Sequence, residues 1–423
     1  MRKILPGSPI SLSSPPRISS LKLERIMATP PNIVIVGAGF AGLWAALSAA
    51  RKLHLAGKPD GFVQIILIAP EPVICMRPRL YEADLSEASV SLVELLNAVS
   101  VRYVQGTVQH IDVEKNHLAY VSGTGNPSIL TFDRLILATG SQLFRPQTVT
   151  GLAEYSWDVD QMDTALKLDA HLKSLAALPD SPARNTVVVC GGGFTGVEIA
   201  AEMPQRLRAI LGEPTEVRVV VLERADAISP EMAAPPRPII AEALASLGVE
   251  VLTGQTVVSV DAEGVTTASG MRIASKTVIW TAGMRANELT TQIPGTRDAL
   301  GRLVVTQTLN VPGVDRIYAT GDIAHVSTDD EGHLALMSCQ HALYMGKCAG
   351  TNAMADVLGL APEPYRKPQY AMCLALGAWG ALYTVGWEHT ISLVKAEGQK
   401  VKTFLPQPIP ACRRNCIRSQ IAE

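Results

Sequence analysis

Two segments of this chain join β-branched runs to glycines at a spacing that suits a diphosphate. The first is Asn32-Ile33-Val34-Ile35-Val36-Gly37-Ala38-Gly39-Phe40-Ala41-Gly42, and the second is Thr186-Val187-Val188-Val189-Cys190-Gly191-Gly192-Gly193-Phe194-Thr195-Gly196. Each reads as a buried parallel strand, a G-x-G-x-x-G turn and an apolar helix. Gly37 and Gly191 allow the tight turn, and Gly39 and Gly193 let the backbone approach a pyrophosphate. Gly42 and Gly196 let helix and strand pack closely, so that the helix N-terminus points at the anion. One such motif is a weak signal. Two of them, each in strand–turn–helix context, point to two dinucleotides in one chain and to an electron or hydride passing between them.

Acids stand where such ligands need them. Asp322 follows Gly321 at the end of a strand, where a carboxylate can accept a hydrogen bond from a ribityl or ribose hydroxyl. Glu223 closes the run that begins at Val217. An acid there bonds both ribose hydroxyls and repels a 2′-phosphate, which predicts NADH over NADPH; Arg224 beside it is the group that could instead take the phosphate. The equivalent place in the first unit is Ala69, so Glu71 is the acid expected to reach that adenosine ribose. Arg77 and Arg79 are candidates for the phosphates or the mouth of the site, or are surface charges beside a proline. Glu198 lies two residues past Gly196, where helical geometry turns a side chain back toward the cofactor junction. Buried, it could carry a raised pKa and handle protons; the plainer reading is an acid favoured by the helix dipole.

These residues need a repeated scaffold, and the sequence supplies one. The interval from Gly37 to the Ala138-Thr139-Gly140 turn resembles that from Gly191 to Thr281-Ala282-Gly283. The unit is fingerprint, helix, second strand (63–69 and 217–223), β-rich crossover, then a strand ending in a small Thr/Gly turn. Residues 176–185 read as the linker between units. Val304-Val305 and Ile317-Tyr318 begin a return to the first unit, followed by a helix from about Ser338 to Leu358 and a proline-rich boundary at 361–368. The fold class expected is α/β: two Rossmann-like dinucleotide-binding domains, three-layered, with a small C-terminal β-rich segment. Residues 370–387 are uncharged, but their glycines favour a β-hairpin over a membrane span.

Composition narrows the function classes. The chain has 423 residues, 47% hydrophobic and 18% charged, which suits buried parallel sheets. A net charge of -2 and few aromatics give no footprint for nucleic acid. The seven cysteines form no C-x-x-C and no zinc-type set, so reduced thiols and no metal are expected. No close cysteine pair follows the first fingerprint, which argues against a disulfide reductase. Residues 1–27, basic and serine-rich, read as a disordered extension or an early start before Met27; an organelle transit peptide is the alternative.

The layout resembles the two-dinucleotide flavoprotein oxidoreductases and, within them, the type II NADH dehydrogenases. The resemblance is carried by the two fingerprints, Arg77-Pro78-Arg79-Leu80-Tyr81-Glu82, Ala138-Thr139-Gly140, Phe194-Thr195-Gly196-Val197-Glu198, Thr281-Ala282-Gly283, Tyr318-Ala319-Thr320-Gly321-Asp322 and Cys373-Leu374-Ala375-Leu376-Gly377. It implies an FAD-binding domain from 28–150 and 285–360, an NAD(P)H-binding domain from 151–284, and a C-terminal segment from 361–423. FAD would then lie on Gly37, Gly39, Gly42, Glu71, Arg77, Ala138, Thr139, Gly140, Gly321 and Asp322. NADH would lie on Gly191, Gly193, Gly196, Glu223, Ala282 and Gly283. The implied reaction passes hydride from NADH to FAD and then two electrons to a quinone or other small acceptor, without proton pumping. Glu198 would serve the nicotinamide–flavin junction.

The family's Ala-Gln-x-Ala-x-Gln stretch, close to the flavin and the quinone, reads Cys339-Gln340-His341-Ala342-Leu343-Tyr344 here. Gln340 is retained, and Tyr344 could cap a quinone. The family's C-terminal amphipathic helices have no visible counterpart. Pro406, Pro408 and Pro410 forbid a helix there, which leaves peripheral membrane contact to a small apolar patch. The place expected is the cytoplasm, with attachment to the inner face of the membrane and organelle targeting left open. The alternatives are a ferredoxin-type reductase, docked through the loose basic group Lys400, Lys402, Arg413, Arg414 and Arg418, and an apoptosis-inducing-factor-like flavoprotein.

Overall fold

Strand β1 (Asn32–Val36) has no charged residue, and Ile33, Val34 and Ile35 are fully inaccessible. That is the pattern of a central parallel strand covered on both faces. The computed structural model describes residues 30–404, residue 214 aside; the expectations for 1–27 and for the proline-rich tail beyond 404 lie outside the described residues. Helix α1 (Phe40–Leu55) follows the first fingerprint and leads to β2 (Gln64–Ala69). Then come β3 (Val101–Asp112), β4 (His117–Ser122), β5 (Pro127–Thr131) and β6 (Arg134–Leu137). β1 runs parallel between β2 and β6, with Ile35 opposite Leu67 on one side and Ile136 on the other.

The second unit repeats this order. Helix α2 (Met162–Ser174) precedes β7 (Thr186–Cys190), α3 (Phe194–Leu211) and β8 (Arg218–Leu222). Helix α4 (Arg237–Ser246), β9 (Val249–Leu252) and β10 (Thr277–Trp280) complete it. The sheet is parallel throughout in the order β9-β8-β7-β10. The chain then returns through β11 (Asn310–Val311) and β12 (Val314–Ala319). β12 pairs parallel with β6, which gives an eight-stranded sheet in the order β11-β12-β6-β1-β2-β3-β4-β5.

Helix α5 (Cys339–Val357) crosses α1 at close range because two of its residues have no side chain. A Cβ at Gly346 would stand 2.3 Å from the Ala41 carbonyl oxygen, and one at Gly350 2.0 Å from that of Ala45. The two glycines are one turn apart, on one face of the helix. They seat the middle of α5 beside the start of α1, where the first fingerprint opens.

The expected hairpin is β13 (Ala371–Ala375) with β14 (Ala381–Val385), extended by β15 (Thr390–Val394). Leu374, Leu376 and Leu382 share one core with Val187, Val189 and Val197, so this sheet packs on the second unit. Beside these strands the described part of the tail carries one helix, α6 (Lys395–Phe404). It starts from a left-handed Lys395 (φ 55°) and packs so closely that a Cβ at Gly398 would lie 2.3 Å from the Ala381 carbonyl oxygen.

Candidate active site

The two fingerprint turns have the same geometry. Gly37 (φ +112°) and Gly191 (φ +117°) are left-handed, which only glycine adopts freely. Gly37 N–H donates to Ile68 O and Gly191 N–H to Leu222 O, both at 2.9 Å. A Cβ at Gly42 would stand 1.9 Å from Gly37 O, and one at Gly196 1.8 Å from Gly191 O. The third glycine of each motif is thus a packing requirement. The small Thr/Gly turns sit opposite: Ala138 N–H donates to Val36 O and Thr281 N–H to Cys190 O, again both at 2.9 Å.

In the first unit, a Cβ built on Gly39 meets nothing within 4 Å. The space beside the helix N-terminus is open, as a diphosphate requires. Two buried hydroxyls, Thr139 Oγ1 and Thr320 Oγ1, have no partner in the protein. Buried polar groups are nearly always paired, so these fit a ligand that supplies acceptors. Ser141 Oγ donates to Asp322 Oδ2 at 2.6 Å, and Arg77 Nη1 stands 3.7 Å from the same oxygen. Burial pushes the Asp322 carboxyl up, while Ser141 and Arg77 draw it back. Arg77 also donates to Asp160, which in turn accepts from Leu143 N–H. Arg77 is therefore a half-buried part of the Asp322 cluster, whereas Arg79 is engaged with Glu82. Ser141 and Asp160 carry no motif and are not visible in the sequence. Glu71 is exposed just past the end of β2.

In the second unit, Glu223 is buried; one of its oxygens holds the fingerprint loop and the other its own following turn. Oε2 accepts from Gly192 N–H and Oε1 from Ala225 N–H, each at 2.7 Å. Arg224 is exposed. Gly283 is left-handed (φ +85°) beside Phe144, and Thr281 Oγ1 donates to Gly191 O at 3.1 Å, tying the Thr281-Ala282-Gly283 turn to the fingerprint.

Glu198 has a partner that the sequence does not suggest. Its side chain, 2% exposed, accepts at Oε1 from Lys402 Nζ at 2.6 Å and from Ala375 N–H at 2.9 Å. Burial pushes the carboxyl above the usual carboxylate range, and Lys402 pulls it part of the way back. Lys402 Nζ also donates to Cys373 O at 3.3 Å and lies over the rings of Tyr81 and Phe194. Of the basic group read in the tail, Lys402 pairs with Glu198 and Lys400 with Glu397, while Arg413, Arg414 and Arg418 lie outside the described residues.

Helix α5 opens on its own cap, Ser338, whose hydroxyl accepts from His341 N–H at 3.4 Å. Gln340 donates from Nε2 to Ala371 O at 3.1 Å, and its Oε1 is buried without a partner. Tyr344, one turn on, is 43% exposed with Lys347 and Lys367 over its ring. His341 is wholly buried; burial pushes its pKa down to about 4, so it is neutral. The Cys339 thiol is pushed up by burial and feels both Lys402 and Asp322, so the start of α5 lies within electrostatic reach of the Glu198 pair and of the Asp322 cluster.

Among the described residues no group of three His, Cys, Asp or Glu could hold a metal ion. No helix there is long and apolar enough to cross a membrane.

The pyridine nucleotide-disulphide oxidoreductase family matches residues 31–346. An NADH dehydrogenase-like protein of Mycobacterium tuberculosis is 42% identical over 374 residues, 88% of this chain and 91% of that one. A demethylphylloquinone reductase of Synechocystis is 30% identical over 363 residues, 83% of this chain and 86% of that one. Among solved structures, NDH2 of Plasmodium falciparum in complex with NADH matches at a TM-score of 0.71 and 16% identity, over 89% of this chain and 94% of that one. That last likeness is one of fold.

Proposed function

The chain belongs to the pyridine nucleotide-disulphide oxidoreductase family, and from that premise we propose that it is an FAD-dependent NADH dehydrogenase that delivers two electrons to a quinone. The observation that carries this reading is the duplicated turn with a different acid on each copy, Asp322 on the first and Glu223 on the second. Gly37, Gly39, Gly42, Ala138, Thr139, Gly140, Gly321 and Asp322 would hold FAD, with Arg77 steadying Asp322 and Glu71 at the adenosine end. Gly191, Gly193, Gly196, Ala282 and Gly283 would hold NADH, with Glu223 on the ribose. Bound FAD supplies the two-electron chemistry that no side chain can provide.

The chain's own residues position and protonate. A quinone that takes two electrons also takes two protons. The Glu198–Lys402 couple holds a proton inside the protein, near the start of α5. Gln340 Oε1, buried and unpaired, is an acceptor for the hydroxyl of the product quinol. The relatives named for NADH and for a quinone support the same assignment.

Anaerobic titration with NADH should bleach the flavin band of the purified protein, and a soluble quinone should restore it. A reduced form that persists with quinone and discharges only to ferredoxin would overturn the reading. Gln340→Leu should leave reduction by NADH intact and slow reoxidation by quinone about tenfold, the scale of one lost hydrogen bond. Glu223→Ala should cost NADH about 1–3 kcal/mol in kcat/KM, the range for a charged hydrogen bond, and narrow the gap to NADPH. A wild type that prefers NADPH would shift attention to Arg224.

A further inference from the structure

The two fingerprints differ in one respect that their sequences do not reveal. Above Gly39 the space is open, whereas a Cβ built on Gly193 would lie 3.1 Å from Glu231 Oε1. That oxygen accepts from Phe194 N–H, the first amide of α3, at 2.6 Å. Glu231 comes from the segment between β8 and α4, which lies across the turn. Ser229, left-handed at φ 51°, donates its N–H to Gly192 O at 2.8 Å. Beyond Glu231 the segment is anchored, since Ala233 N–H donates to His389 Nδ1 at 3.3 Å and Arg237 Nη2 to Met232 O at 2.7 Å.

We propose that Glu231 is a displaceable carboxylate: it fills the diphosphate seat of the second fingerprint in the nucleotide-free protein, and a nicotinamide dinucleotide binds by moving it off. The inference rests on the reading of the second unit as the NADH site.

The physical case has three parts. A helix N-terminus has amides without intrahelical partners and favours an anion. In this turn the protein supplies its own, the Glu231 carboxylate, from a residue exposed to solvent. A tethered carboxylate competes at high effective concentration, so a small free anion gains little by replacing it. A dinucleotide can replace it, because its ribose, adenine and nicotinamide add contacts that an isolated phosphate lacks. Once displaced, Glu231 also repels the bound diphosphate unless its segment swings well clear, since Glu223 already places one negative charge beside the turn. Glu231 therefore lowers affinity for the dinucleotide and sharpens selectivity against simple anions.

The test is isothermal titration of the flavin-loaded protein with NAD+, with ADP-ribose and with inorganic pyrophosphate. Glu231→Gln keeps the size and removes the charge; Glu231→Ala removes the group. Both should bind NAD+ and ADP-ribose about tenfold more tightly, the scale of a helix-terminus anion contact, and should gain measurable binding of pyrophosphate. Hydrogen exchange supplies a second readout. In Glu231→Ala the Phe194 amide should exchange faster in the free protein and regain protection with NAD+. If wild type binds dinucleotide and neither variant binds it more tightly, the inference is overturned alone. If neither wild type nor the variants bind any dinucleotide, the NADH reading of the second unit falls, and the inference with it.

Discussion

Gly39→Val should give a folded protein that no longer holds FAD. The three glycines of the first fingerprint look alike in sequence but differ in what surrounds them. A side chain at Gly42 would drive its Cβ to 1.9 Å from Gly37 O, and one at Gly37 to 2.3 Å from Ala138 O, so substitutions at either disturb the backbone itself. Gly39 has φ -69° and ψ -169°, which any residue adopts, and open space beside it. Valine fits there at a cost of about 1 kcal/mol as a poorer N-cap than glycine. Its methyls would occupy the gap through which a diphosphate must reach the backbone. The expected result is a thermal midpoint within a few degrees of wild type and a flavin absorbance near zero after purification. Gly42→Ala should do the reverse of this separation, losing stability and flavin together. A folded Gly39→Val protein with its full complement of FAD would remove the first unit from the flavin site.

Local pattern makes the scaffold legible. β1, β7 and their glycines are uncharged strands followed by a turn that only certain residues permit, and the hairpin at β13–β14 is announced by its glycines. What stays hidden depends on contacts between distant segments. The α1–α5 crossing rests on Gly346 and Gly350, whose spacing is ordinary in any helix until Ala41 and Ala45 are placed against it. Helix α6 carries Gly398 in its interior, a residue that argues against a helix; packing on Ala381 is what requires it there. Because nothing local announces α6, nothing announces Lys402 as the partner of Glu198, 204 positions away. Glu231 sits among Pro230, Pro235 and Pro236, where the sequence suggests only a surface loop. The glycine turns are therefore readable from the chain, and the charges that act on them are not.

Lys402→Met should be strongly destabilising, and its effect should depend on pH. The substitution keeps much of the side-chain volume and removes the ammonium that faces a carboxylate only 2% exposed. Breaking a buried pair from one side costs about 3–5 kcal/mol, because the remaining charge is uncompensated. Glu198 would keep one strong donor, Ala375 N–H, and its carboxyl, already above the ordinary range, would rise further. A carboxyl whose folded pKa is raised binds a proton in the folded state at pH values where the unfolded chain has lost it. Stability is then fully present below the ordinary carboxylate range and declines as pH climbs through the folded value. Urea unfolding of Lys402→Met should accordingly show a larger deficit at pH 8 than at pH 5. Glu198→Gln added to Lys402→Met should recover much of the loss at pH 8, since the amide brings no charge to bury. An equal deficit at both pH values, or no recovery in the double variant, would mean that Lys402 acts by packing on Tyr81 and Phe194 rather than by neutralising Glu198. If the pair is electrostatic, the same double variant should stay folded, keep its flavin and be reduced by NADH, yet turn over quinone slowly. The proton held between α3 and α6 would then be the missing reagent, and the fold would be shown to survive without it.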